Sequence, residues 1–535
     1  MVVSEGAGPS WRQHLLLVLL LLAALLVGVR GMATLPPDEH EILVLRTSHE
    51  MSMRGDWIVP YFNDEPRLKK PPLSYWLTGL TAFVAGADGQ IVAWHGRVPS
   101  LLAGLAIAVM LWWAGRRFYS ARAAWYGCAM FVSSVGFFTF SHDGRPDFLY
   151  AALCTAGWLA GAVALVEARG ARLRPVVVMW LAFALATLAK GPHIPFILLV
   201  GMALFCVTRE PRGSLSPRAL RPLLGVALVA AIAVPWWLAL HARVDPSAVR
   251  GSQLAGRLLV PRLDHLFNGY YLYRPLQLLL PWLPLAPLAW LAAARQRDGS
   301  RDFTVYLAMC TGAVVLGLSL GVQQRFFYLL PVMPALCLLA GHGLACVETQ
   351  RPRLALTLVV VQALVVVAAA GWLFVSQQAP GALALLICVA TLVALFSARL
   401  LGSICTGAVL LAALLAVGSF ARFADGPVLW SIARFHRHEL AAATARLVGS
   451  EQALFSYALT PVLYIQVTGR AIPEFPSLVA LERAMHERQL ERAYVLTLLK
   501  RRAELAQRFD VEELALMPRK ANDRAGLFLV TPHRQ

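Results

Sequence analysis

Two stretches decide most of what this chain can become: LLLVLLLLAALLVGV (15–29) and ALTLVVVQALVVVAAAGWLFV (355–375). Runs this long and this apolar match a hydrocarbon core of ~30 Å, which needs roughly 20 apolar residues as helix. More such runs follow through residue 420. Composition agrees: 58% of residues are apolar, 15% are charged and the mean hydropathy is +0.62, against ~45–50% and ~25% for soluble domains. The fold class is therefore a polytopic α-helical membrane protein.

Thirteen spans are expected, at 15–29, 98–115, 122–140, 147–167, 174–189, 194–208, 221–241, 276–294, 303–320, 328–346, 354–374, 379–397 and 400–420. Loop charge orients them. With the N-terminus inside, the inner loops RRFYSAR (116–122), EARGARLR (167–174), TREPRGSLSPRALR (208–221), ARQRDGSR (294–301) and ETQRPR (348–353) are crowded with Arg. The short outer turns SHDGRPD (141–147), KGPH (190–193), GVQQRFF (321–327) and SQQAP (376–380) hold three cations between them. That asymmetry follows the positive-inside rule and places the C-terminus outside. The net charge of +18 fits inner loops against anionic lipid. It does not indicate nucleic acid, since no basic soluble face with interleaved aromatics occurs. The first run is expected to be an uncleaved anchor, because VRGMAT is a weak cleavage pattern. All eight cysteines lie in or beside apolar runs, which predicts small core hydrophobes and no disulfide framework.

Three segments lie outside the bilayer. Outer loop 30–97 contains a helical pattern over 39–55, with Ile42, Leu45, His49 and Met53 on one stripe and Gly55 as its stop. A second helix follows the proline pair Pro71–Pro72. Both are expected at the membrane interface. Outer loop 242–275 is rich in Arg and Tyr. The tail from 421 alternates strand and helix patterns and closes with the pair ELALMP and GLFLVTP, a small α/β unit. The division is thus 1–420, membrane domain, and 421–535, outer α/β domain.

Ionisable groups at the outer ends of spans are few, and such groups are functional candidates by default. The acids are Asp38 and Glu39, directly after the first span, and Asp143 and Asp147, which flank Arg145. The cations are Lys69 and Lys70 in the basic corner EPRLKKPPLSYWL, then Lys190, Arg325 and the arginines of loop 242–275. Cations of this kind bind phosphate. No His/Cys/Asp cluster has metal spacing and no phosphate-cradling Gly loop occurs. Neither a divalent metal nor a tightly bound organic cofactor is expected. Nucleotide-activated donors are cytoplasmic, so chemistry on the outer face requires a lipid-carried group, such as a polyprenyl-phosphate sugar.

The run DEHEILVLRTSHEMSMRGDWIVPYFNDEPRLKKPPLSYWL (38–77) resembles the first outer loop of the bacterial lipid A aminoarabinose transferase and protein O-mannosyltransferase-like family of the GT-C superfamily. GRPDFLY (144–150), LAKGP (188–192), LPWLPLAP (280–287) and RFFYLLPVMPAL (325–336) continue the likeness in family order. The resemblance implies about 13 transmembrane helices of GT-C type with a small C-terminal extracytoplasmic α/β domain. It implies an inverting glycosyltransferase of the bacterial inner membrane, moving a sugar from a polyprenyl-phosphate carrier, with aminoarabinose and lipid A phosphate as leading substrates and polymyxin resistance as the consequence. By the same likeness Asp38 and Asp147 are catalytic. Lys70, Arg325, Tyr328 and one of Arg262 or Arg274 meet the carrier phosphate, with Glu39, Lys190 and Lys69 auxiliary. Two departures reverse charge: Glu41 stands where the aminoarabinose enzymes carry Arg, and Lys69 where they carry Glu. The reversals would offset one another if the two side chains met. Other readings predict different features. Transfer to protein hydroxyls or a surface glycan needs a general base. A lipid transporter needs midplane charges and repeats, and a lipid-binding scaffold needs no carboxylates.

Overall fold

The computed structural model describes residues 11–87, 90–167, 172–209, 217–245, 265, 268–297, 299–321, 324–401, 403–424, 432–517 and 524–533. Among them, nine helices are long and apolar enough to cross a membrane, or ten when one bent pair counts as a single span. Three shorter apolar helices, His14–Val29, Leu73–Val84 and His193–Thr208, accompany them.

The first ten helices are α1 (Trp11–Val29), α2 (Glu39–Arg54), α3 (Leu73–Val84), α4 (Ala93–Phe118), α5 (Ala121–Val132), α6 (Val135–Ser141), α7 (Asp147–Ala162), α8 (Leu173–Lys190), α9 (His193–Arg209) and α10 (Pro222–His241). The expected span 122–140 is not straight: α5 and α6 meet at 55°. Two serines cause the break. Ser134 caps α6 by accepting the Phe137 N–H (3.1 Å), and Ser133 Oγ accepts the Trp282 indole N–H (2.9 Å). The expected span 276–294 is also interrupted, into a 3-10 turn (Arg274–Leu279) and a ten-residue helix (Ala286–Arg295). Pro281 and Pro284 fall between them and carry no backbone donor.

Between α1 and α4, two helices and a short hairpin, β1 (Tyr61–Phe62) with β2 (Glu65–Pro66), form a cap. Asp38 starts α2 in a capping box with Glu41, and Gly55 ends it at φ 63°. The stripe expected on α2 differs from the buried face. Ile42 and Leu45 are fully buried, but Met53 is 67% exposed and Val44 and Met51 take its place. The helix is covered from two sides, so a single amphipathic stripe does not describe it.

The last described hundred residues form helix Ile432–Leu447 and a mixed sheet of β3 (Leu454–Tyr457), β4 (Glu474–Phe475), β5 (Ala493–Leu498), β6 (Phe509–Leu516) and β7 (Ala525–Pro532). Strand order is β4-β3-β5-β7-β6, with β3 parallel to β4 and β5, and β7 antiparallel to both neighbours. This unit sits on α2: Ile42 shares a core with Leu440, Leu463 and Leu527. Asn63 Nδ2 donates to the Ile472 carbonyl (3.0 Å) while Asn63 Oδ1 accepts the Ile472 N–H (2.8 Å).

Candidate active site

Four turns converge where the cap meets the bundle. The first is the DEHE head of α2. Asp38 Oδ1 accepts the His40 N–H at 2.8 Å, leaving the Asp38 side chain 47% exposed. Glu39 turns away and pairs with Arg437 of the tail. Glu41 turns inward and is fully buried against Arg97, with Nε–Oε1 at 2.6 Å and Nη2–Oε2 at 2.9 Å. The charge reversal at Glu41 is therefore matched by Arg97 on α4, while the Lys69 side chain is exposed.

The second turn is HDGRPD, between α6 and α7. Its charges alternate in space as in sequence. Asp143 Oδ2 accepts from Arg145 Nε (2.5 Å), Arg145 Nε lies 3.7 Å from Asp147 Oδ2, and Asp147 Oδ1 takes the Lys190 ammonium. Lys190 ends α8 in the third turn, KGPH, which Tyr150 secures. Its hydroxyl donates to the Gly191 carbonyl (3.0 Å) and accepts the Ile194 N–H (3.1 Å). The fourth turn supplies aromatic faces. Lys190 Nζ stands 4.6 Å from the Tyr328 ring centre and 5.2 Å from that of Phe327, and the Arg145 guanidinium lies 5.0 Å from Phe327.

Burial shapes the protonation of this chain of charges. It pushes the Asp143 carboxyl up to about 6, with Arg145 opposing. For Arg145, the carboxylates of Asp143, Asp147 and Asp38 outweigh burial and hold the guanidinium above its ordinary value. The ammonium of Lys70 is brought down to about 8. Burial is the main cause; Lys190, Arg145 and Arg67 add to it, and Asp147 opposes. Lys70 makes no hydrogen bond or ion pair among the described residues. The arrangement thus holds one cation within electrostatic reach of a saturated acid–base ladder, available to an anion.

Of the residues singled out in the sequence, Asp147, Lys190 and Tyr328 meet directly, and Lys70 and Asp38 act on the same charges. Arg325 is exposed. Its backbone is tied through both N–H and C=O to the Tyr271 hydroxyl (3.1 and 3.2 Å). Arg274 lies over Tyr270 and Tyr273, each at 5.7 Å, and its buried Nε lacks a hydrogen-bond partner among the described residues. Arg262 lies outside the described residues. Sequence reasoning missed Arg97, a lone arginine just before an apolar run that reads as a flanking residue. The signal was the pair of opposite unmatched charges, Glu41 in the cap and Arg97 at a span edge. Among the described residues no group of three His, Cys, Asp or Glu side chains comes together to hold a metal.

Residues 69–238 match a family model described as dolichyl-phosphate-mannose-protein mannosyltransferase. The chain is 25% identical over 324 residues to an undecaprenyl phosphate-alpha-4-amino-4-deoxy-L-arabinose arabinosyl transferase of Proteus mirabilis, covering 58% of this chain and 56% of that one. It is 26% identical over 331 residues to a protein of the same description from Erwinia tasmaniensis, with the same coverage. The chain thus matches just over half the length of these relatives. Among solved structures, ArnT from Cupriavidus metallidurans superposes with a TM-score of 0.72 at 19% identity, covering 96% of this chain and 97% of that one. The same ArnT bound to undecaprenyl phosphate gives 0.71. The archaeal oligosaccharyltransferase AglB from Archaeoglobus fulgidus, in complex with an inhibitory peptide and a dolichol-phosphate, gives 0.51 at 11% identity, covering 92% of this chain and 70% of that one. The fold is the one seen in these solved structures.

Proposed function

We propose that this chain, which has the GT-C fold and relatives among the undecaprenyl-phosphate aminoarabinosyl transferases, moves aminoarabinose from a polyprenyl-phosphate carrier to a phosphate of lipid A. The reaction takes place on the outer face of the bacterial inner membrane. Residues 1–420 form the membrane-embedded transferase domain and 421–535 the periplasmic domain, with the N-terminus cytoplasmic. The observation that carries the reading is Lys70, which has no hydrogen bond or ion pair among the described residues, within electrostatic reach of the Asp143–Arg145–Asp147–Lys190 ladder.

An acceptor oxygen attacks the anomeric carbon in line. The bond from that carbon to the carrier phosphate breaks, and the phosphate leaves with the electron pair. A phosphate leaving group needs charge stabilisation more than a proton. Lys70 supplies it, aided by the exposed Arg325 and by Arg274. Tyr328 holds Lys190 in place through its ring face. A lipid A phosphate is already anionic near neutral pH and needs no base. Asp38 and Asp147 then orient the sugar and offset positive charge as it develops at the anomeric carbon. A cationic sugar added to lipid A phosphate lowers surface negative charge, which is the basis for polymyxin resistance.

A second reading is transfer to a protein hydroxyl, favoured by the description of the family model matched over 69–238. There the half-exposed Asp38 serves as general base. Lipid A mass spectrometry of cells making the wild type, Asp38→Ala or Lys70→Ala separates the two. A pentosamine-sized gain with wild type alone supports the leading reading. No gain in cells with confirmed donor refutes it and directs the search to glycoprotein acceptors.

A further inference from the structure

One buried carboxylate in this fold receives more donors than a simple ion pair requires. Glu41 Oε1 accepts from Arg97 Nε at 2.6 Å and from the Gly144 N–H at 3.0 Å. Glu41 Oε2 accepts from Arg97 Nη2 at 2.9 Å and from the Asp38 N–H at 3.3 Å. The remaining guanidinium nitrogen, Nη1, donates to the Met32 carbonyl at 2.7 Å. Neither side chain of the pair has any solvent exposure. Four separate segments therefore meet on two side chains: the end of α1, the head of α2, the start of α4 and the HDGRPD turn.

The two backbone N–H groups on Glu41 are not arbitrary. One belongs to Asp38 itself. The other belongs to Gly144, between Asp143 and Arg145. The backbone contact beneath them is equally close, since a Cβ on Gly144 would lie 3.1–3.2 Å from Gly96 backbone atoms and 3.2 Å from Glu41 Oε1. A buried ion pair is a weak source of stability, because removing both charges together is often neutral or favourable. Its consequence here is geometric. A charge-assisted hydrogen bond fixes distance and direction better than apolar packing does.

We infer that Glu41 and Arg97 are positioning residues for the transfer: the Glu41 carboxylate sets the separation between Asp38 and the Asp143–Arg145–Asp147 turn. This rests on the reaction proposed above. Both side chains are sealed from solvent, so their effect is proposed to run through the backbone N–H groups of Asp38 and Gly144.

The decisive test is the charge exchange Glu41→Arg with Arg97→Glu in the full-length protein. It restores a buried pair but leaves no acceptor at position 41 for either N–H. The expected result is a folded protein whose Asp38 and Gly144 amides exchange hydrogen faster than in wild type. Its kcat falls about 10- to 100-fold, the size of effect an ångström-scale misplacement gives, while donor KM stays near the wild-type value. Gly144→Ala is the companion variant. It leaves every charge in place but pushes the turn from Glu41, and it is expected to lower kcat with donor KM again unchanged. Wild-type kcat in the folded exchange variant would overturn the inference; if that variant does not fold, wild-type kcat in Gly144→Ala does so. If wild type itself transfers nothing from polyprenyl-phosphate aminoarabinose, the proposed reaction fails. The inference then stands or falls on amide exchange: retained protection of Asp38 and Gly144 in these variants refutes it.

Discussion

Lys70 offers the sharpest measurement, because its charge is set to change within the working range of an enzyme assay. Burial beside Lys190, Arg145 and Arg67 brings its ammonium down to about 8. It is then about 90% protonated at pH 7 and about 10% protonated at pH 9. The polyprenyl-phosphate donor is a phosphodiester and keeps one negative charge throughout that interval. If donor binding requires the protonated lysine, donor KM rises roughly tenfold from pH 7 to pH 9, equivalent to about 1.4 kcal/mol. Folding has the opposite slope. The folded state disfavours the charged lysine, so the contribution of this group to stability increases as pH rises from about 8 toward the ordinary lysine value. The assay is steady-state transfer at saturating acceptor, with donor KM taken at half-unit pH steps. Lys70→Arg keeps its charge to much higher pH and should flatten the profile, whatever its absolute KM. A flat wild-type profile, or an equal slope in wild type and Lys70→Arg, would refute the assignment of Lys70 to the carrier phosphate.

Asp147→Asn leaves Lys190 and Arg145 buried without their shared carboxylate, which should cost about 3–5 kcal/mol and appear as a lowered Tm in detergent together with reduced kcat. Asp143, held up to about 6 by burial, should protonate as pH falls through that value and release its grip on Arg145. The acid limb of kcat should then be steeper in wild type than in Asp143→Asn by one proton; equal limbs would remove Asp143 from the ladder's function. At the packing level, a Cβ on Gly343 would lie 1.7 Å from the Ala289 carbonyl oxygen. Gly343→Ala should therefore force helix Met333–Gln350 away from helix Ala286–Arg295 and abolish the folded, monodisperse fraction in size-exclusion chromatography.

The helical membrane architecture was legible because apolar length and loop charge are strong, redundant signals. Breaks were not. The bend at Ser133–Ser134 depends on Trp282, a partner 149 residues away, and a window of local hydropathy contains no trace of it. The same holds for the site. Asp38, Lys70 and Asp147 stand out in sequence because charge is scarce at the outer ends of spans. Glu41 and Arg97 are separated by 56 residues, and each alone reads as a cap-box acid or a flanking cation. Met53 shows the limit of periodicity in another way. A helix covered from two directions buries more than one stripe, and spacing alone cannot say which residue is left out.

The tail's grip on the DEHE helix also has a bearing on how the protein is made. Asn63 and Ile472 are 409 positions apart, and Pro37, on the other flank of Asp38, offers its carbonyl to His438 at 2.8 Å. During synthesis the α2 head emerges long before the residues that pack over it, Leu440, Leu463 and Leu527. A chain made only through its last apolar helix already holds the membrane bundle but not the unit that packs on α2. Insertion of the bundle and seating of this unit on α2 are thereby separated in time.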